Sequence, residues 1–158
     1  MNAKYSLIKS DKKNWDEKVL FQIKAKISFG IVVKGELGGY IEKEDNLSSQ
    51  GNAWVSGDAE VSGNAEVSGN AEVSGNARVY GDAEVSATAD YLTISSLGDS
   101  NRTITITRSN GKISAGCWLG TVKEFEKAVK EKYGKKKTNY YPAIKFIKEW
   151  LKLGRKDV

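Results

Sequence analysis

The sequence predicts a mainly-β fold: a short parallel β-helix with an N-terminal β cap and a C-terminal α+β (ββαα) unit. Three observations predict it. Residues Gly51–Ser86 are six hexads in unbroken register, GNAWVS, GDAEVS, GNAEVS, GNAEVS, GNARVY and GDAEVS, and a six-residue period points to a parallel β-helix. The chain before them alternates apolar and polar residues with the period of a strand. The chain after them returns to alternation and then takes up helical spacing. These shifts divide the chain into residues 1–38, 39–98 and 99–158.

In the first division, Lys4–Lys9 (KYSLIK) and Val19–Ser28 (VLFQIKAKIS) both alternate. In the second run Phe21, Ile23, Ala25 and Ile27 share one face, opposite Gln22, Lys24 and Lys26. Two antiparallel strands joined through Ser10–Lys18 are the simplest assignment, with Trp15 of that loop packed on them. Gly35–Gln50 is a transition. Gly39 and Asn46 fall in the hexad phase as its Gly and Asn, Leu37 falls in the valine phase, and Ile41 and Leu47 fall at the small-residue position. These are degenerate hexads that begin and plug the stack, as terminal repeats depart from consensus.

Within each hexad Ala and Val lie two apart, so on a strand they face the same side, inward. The residue between them (Trp54, Glu60, Glu66, Glu72, Arg78, Glu84) is expected to face solvent. Ser-Gly-Asn/Asp is turn chemistry, because Gly accepts positive φ and Asn or Asp bonds its own backbone. Three such units make a coil of roughly 18 residues. Stacking then places Val55 over Val73 and Tyr91, Asn52 over Asn70, Glu60 over Arg78 and Glu66 over Glu84. Two coils of Ala and Val bury little area and leave backbone edges open at both ends. The flanking chain or another subunit must close them, so a dimer or trimer is expected.

Beyond the repeats, Tyr91 closes the stack and Leu97 is the last residue in phase. Arg102–Arg108 (RTITITR) alternates, with Ile104 and Ile106 on one face. Asn110-Gly111 is a hairpin signal, and Lys112–Leu119 returns. Thr121 and Glu124 form a capping box, and Val122, Phe125, Val129 and Tyr133 make the stripe of a helix that Gly134 ends. Pro142 suits the first turn of a second helix, with Ile144, Ile147 and Leu151 buried and Phe146, Trp150 and Leu153 beside them. The tail Arg155–Val158 is expected to fray.

The run from Phe29 to Val55 (FGIVVKGELGGYIEKEDNLSSQGNAWV) resembles the entry segment of bacterial and bacteriophage hexapeptide-repeat proteins, some labelled acetyltransferases on fold alone. The resemblance covers about residues 4–90. It implies a left-handed, triangular parallel β-helix. A weaker likeness links the C-terminal third to segments beside such repeats in phage proteins. The role this implies is anti-defence, through inhibition of a host protein or sequestration of a small anionic ligand in the host cytoplasm.

The chain contains no histidine. Hexapeptide acyltransferases generally deprotonate their acceptor with histidine, and β-helical carbonic anhydrases hold zinc with it. Neither chemistry operates here as usually built, so the protein is expected not to be an enzyme and to take no cofactor or metal. The alternative is an acyltransferase-like enzyme using Glu60, Glu66, Glu72 or Glu84 as an atypical base. Cys117, the single cysteine, reads as a small buried apolar residue in a reducing compartment. No Walker-type loop follows the Gly-Asn/Asp corners.

Charge is uneven. Arg78 is the lone basic side chain among seven acidic ones in residues 51–90, whereas residues 91–158 carry fifteen basic and six acidic side chains. In Lys130–Tyr141, Lys135, Lys136 and Lys137 with Tyr140 and Tyr141 could grip phosphates and stack on bases, which makes nucleic acid the other alternative partner. Trp54 and Tyr80 replace the usual Glu and Ser at outward positions and are candidate contact points. No apolar run approaches the roughly 18 residues of a membrane span, and the N-terminus lacks the apolar stretch of a signal peptide, so a cytoplasmic location is expected.

Overall fold

The computed structural model describes residues 2–98 and 102–154. The expected fraying of Arg155–Val158 and the division at residue 99 lie outside the described residues. The fold is mainly β, in several sheets, with a two-helix unit at the C-terminal end. Among the described residues no helix is long and apolar enough to cross a membrane.

Strands β1 (Tyr5–Lys13) and β2 (Val19–Ala25) pair antiparallel, with Tyr5 opposite Ala25 and Lys9 opposite Phe21. The connecting turn is built on Asn14, whose Oδ1 accepts from the backbone N–H of Asp16 at 2.9 Å and of Lys18 at 3.0 Å. With the turn closed by its own hydrogen bonds, Trp15 is left exposed rather than packed on the strands. Ile27 is also exposed, because the strand ends at Ala25 before the alternation reaches it. β2 pairs antiparallel with β3 (Leu37–Ile41), with Phe21 opposite Ile41.

The hexads form six two-residue strands: β4 (Trp54–Val55), β5 (Glu60–Val61), β6 (Glu66–Val67), β7 (Glu72–Val73), β8 (Arg78–Val79) and β9 (Glu84–Val85). They pair in parallel at an offset of 18 residues, Val55 beside Val73, Val61 beside Val79 and Val67 beside Val85. Every Ala and Val of the repeats is buried in one continuous core, as their shared facing predicts. Asn52 Nδ2 donates to Asn70 Oδ1 at 3.2 Å. At the corner Gly51 has φ +66° and sits so close to the next layer that a Cβ would lie 2.6 Å from the Gly69 carbonyl oxygen.

Ahead of the repeats the register differs from simple counting. Ile41 pairs with Val61 and Leu47 with Val67, an offset of 20 residues, so both occupy the valine column rather than the small-residue position. Two extra residues in the Ser48–Asn52 bend cause the shift, and Leu37, counted into the valine column, is exposed. Gly39, counted as a corner, lies inside β3, where a Cβ would meet Ala59 O and Val55 Cγ1 at 2.7 Å.

Both ends of the ladders are closed by side chains. At the first, the Tyr5 hydroxyl donates to Leu47 O at 2.7 Å and Lys4 Nζ to Ala53 O at 2.6 Å. At the other, the N–H of Glu72, Ser74, Arg78 and Glu84 donate to the hydroxyls of Thr88, Tyr91, Thr105 and Ser109.

The C-terminal unit is larger than the expected two strands. β10 (Tyr91–Leu97), β11 (Arg102–Thr107), β12 (Lys112–Ala115) and β13 (Trp118–Thr121) form one antiparallel sheet in chain order. Residues read as the last hexad belong to β10, and the expected return strand breaks at Gly116, where φ is +65°. Ile104, Ile106, Ile113 and Ala115 face helices α1 (Val122–Tyr133) and α2 (Tyr140–Lys152) in a second core. Thr105 and Ser114, on the opposite face, bond the backbone of Arg78. Helix α1 starts on the expected capping box: Thr121 N–H donates to Glu124 Oε2 at 2.7 Å. Phe146 and Leu153, placed beside the buried stripe, are half exposed.

Candidate functional site

Two expected contact residues are inside the protein. Trp54 is 2% and Tyr80 4% exposed, which corrects their assignment to outward-facing positions. The indole of Trp54 meets the Phe29 ring edge-on, centroids 5.5 Å apart, under Lys4, because the β1–β2 hairpin and the loop after it cover this side of the repeats. Its Nε1 has no hydrogen-bond partner.

Glu60, expected in solvent, is 2% exposed. Its carboxylate accepts from the Tyr80 hydroxyl at 2.8 Å and pairs with Arg78 Nε and Lys12 Nζ, each at 3.4 Å. Lys12 Nζ also lies 4.0 Å from the Tyr40 ring centroid. Burial, then the neighbouring Glu60 charge, raises the pKa of the Tyr80 phenol, so it stays protonated as a donor to that carboxylate. A carboxylate held between a phenol and two cations is a strut that binds β1, β5 and β8 together. With those contacts made, it is poorly placed to serve as a general base.

Lys135, Lys136 and Lys137 do not act together with Tyr140 and Tyr141. Lys135, Lys136 and Lys137 are exposed between the helices. Tyr140 is buried, and the Tyr141 hydroxyl donates to Gly134 O, so neither ring is presented for stacking. Cys117, read as buried, is exposed in the turn between β12 and β13. Among the described residues no three His, Cys, Asp or Glu side chains form a group that could hold a metal ion.

Where the C-terminal sheet meets the repeats lies a polar cavity of about 220 Å³. Asn76 and Arg78 enter from the fifth hexad, Arg102, Thr103 and Thr105 from β11, and Ser114 and Gly116 from β12. Local sequence explains each. Arg78 stands where four other hexads have Glu, so the repeat itself aims its side chain outward. Thr103, Thr105 and Ser114 alternate with the isoleucines of their strands and so face the repeats. The docking bonds fix the walls: Arg78 N–H donates to Thr105 Oγ1 at 2.9 Å, and Ser114 Oγ donates to Arg78 O at 2.7 Å. No carboxylate lines the cavity, and Arg102 forms no ion pair among the described residues. Two guanidiniums, that of Arg78 also paired with Glu60 through Nε, an amide and the Thr105 hydroxyl around a partly enclosed space suit a small oxyanion, because charge-assisted hydrogen bonds are the strong ones.

In the sequence Arg78 stands out as a rung opposite Glu60 and the lone basic side chain of residues 51–90, and nothing distinguishes Arg102 beyond its place in an alternating strand. The one signal available was the departure from Glu at the fifth hexad. No protein-family model and no curated protein matches the chain.

Proposed function

We propose that the protein is a non-enzymatic binding protein: a short left-handed parallel β-helix that carries an anion-binding pocket where its last hexads meet the C-terminal unit. The β-helix reading is supported by parallel pairing at a constant 18-residue offset and by the continuous Ala/Val core. The anion reading is carried by one observation: Arg78 and Arg102 line a hydroxyl-rich cavity with no carboxylate in its wall. The biological role proposed for it, sequestration of an anion of the host, rests on the likeness to phage proteins and not on the pocket's chemistry. Side chains of the same chain meet the ladder ends, and a dimer or trimer through the prism faces remains part of the proposal.

An atypical carboxylate base is disfavoured by the three partners around Glu60. Nucleic-acid binding at Lys135–Lys137 is disfavoured by the inward use of Tyr140 and Tyr141.

Calorimetry with inorganic phosphate and pyrophosphate tests the reading. Binding of either, weakened about tenfold or more by Asn76→Asp, supports it. Asp already occupies the same hexad position at Asp58 and Asp82, so the fold tolerates this change and only the pocket's charge is altered. Absence of heat with both anions at millimolar concentration overturns it.

A further inference from the structure

Arg102 also lines a second cavity. This one, of about 150 Å³, lies toward the helices and is walled largely by aromatic rings: Trp118 of β13, Phe125 and Tyr133 of α1, and Tyr140 of α2. The Trp118 and Phe125 centroids are 5.1 Å apart, those of Phe125 and Tyr140 5.8 Å, and those of Tyr133 and Tyr140 5.5 Å. Ala128 and Val129 complete the helix side, and Lys132 joins Arg102 as the second cation. No carboxylate lines this cavity either.

The two cavities are divided by the end of β12. Its residues alternate, so Ser114 and Gly116 wall the polar cavity while Ala115 walls the aromatic one. Arg102 stands beside that division with Nη1 donating to Ala115 O at 3.3 Å, and a guanidinium offers five N–H donors in all. The ring separations are those of packed aromatic pairs, so the rings form a continuous wall onto which the cavity opens.

Each half of the arrangement restricts the ligand. A bare phosphate would use Arg78 and Arg102 but leave the aromatic wall idle. An uncharged ring would fill the wall but strip water from Arg102 and Lys132 without replacing it. We propose that the aromatic cavity is a ring subsite and that the ligand is a nucleotide, with its base among Trp118, Tyr133 and Ala128 and its phosphate on Arg102, the side chain that lines both cavities. This rests on the anion pocket proposed above. Stacking on an aromatic wall is not specific to one base, so purine and pyrimidine nucleotides both bind.

The test is calorimetry on the full chain with AMP, UMP and inorganic phosphate, for the native protein, Ala128→Leu and Lys132→Glu. Ala128→Leu fills the cavity from the helix side, and its melting temperature checks folding. Lys132→Glu changes an exposed side chain and serves as the second variant. The proposal expects AMP and UMP to bind at least about tenfold tighter than phosphate. It expects Ala128→Leu to remove that advantage while leaving phosphate affinity unchanged, and Lys132→Glu to weaken both nucleotides several-fold. If phosphate binds and the nucleotides bind no tighter, or bind tighter but ignore both variants, the ring subsite falls and the anion pocket stands. If none of the three binds, both fall.

Discussion

Lys4 and Tyr5 show how single side chains close an open ladder end. The Lys4 ammonium is buried, donates to two backbone carbonyls and lies 4.6 Å from the Phe29 ring centroid, with no carboxylate among its hydrogen-bond or ion-pair partners. Burial lowers its pKa to about 8. The folded state therefore releases this proton before the unfolded chain does. The unfolded state binds more protons between about pH 8 and 10.5, and stability rises with pH through that window. Lys4→Met should abolish the rise, so the melting temperature of the native protein should climb relative to that of the variant from pH 8 to pH 10; a constant difference would refute the assignment. Tyr5 has the opposite sign. Burial, with Glu44 adding to it, raises its pKa to about 12, so stability falls as pH climbs from 10 toward 12. Tyr5→Phe should lose about 1 kcal/mol near neutral pH and show a shallower alkaline decline, measured by urea melts across pH.

At the scale of elements, the shifted register before the repeats makes a sharp prediction. Leu47 is fully buried beside Val67, so Leu47→Ala should cost about 2–5 kcal/mol in chemical denaturation. Leu37→Ala, at a residue 54% exposed, should stay within about 0.5 kcal/mol. Equal costs would return Leu37 to the valine column. The C-terminal sheet docks through hydroxyls and the Lys112–Asp82 ion pair, with Tyr91 packed on the repeat core. Thr105→Val keeps shape but leaves the Arg78 N–H without its acceptor, a loss of about 1–3 kcal/mol. Thr93→Val, in an exposed position of the same sheet, is the matched control and should cost little.

For the whole molecule, two separate cores meet across a polar seam, and protection of backbone amides should reflect that division. The amides of Trp54, Glu60 and Glu66 donate to Ala71, Ala77 and Ala83 carbonyls inside the ladders. Those of Glu72, Arg78 and Glu84 depend on side-chain oxygens of Thr88, Thr105 and Ser109. Hydrogen exchange should be slower in the first set, and Ser109→Ala should speed exchange at Glu84 while leaving Glu66 unchanged. Uniform exchange across both sets would mean the seam does not limit opening.

The inward Ala and Val columns, the partners eighteen residues apart and the caps of α1 are legible in the sequence, because each follows from a short period or a local backbone rule. The burial of Trp54, Tyr80 and Glu60 was not readable. A period says which way a side chain points, not what a distant hairpin lays over it. The same holds for the pocket. Arg78 stood out as a break in the repeat, but Arg102 and the hydroxyls reach it only once the C-terminal sheet docks, and docking is settled by long-range complementarity that no local pattern encodes.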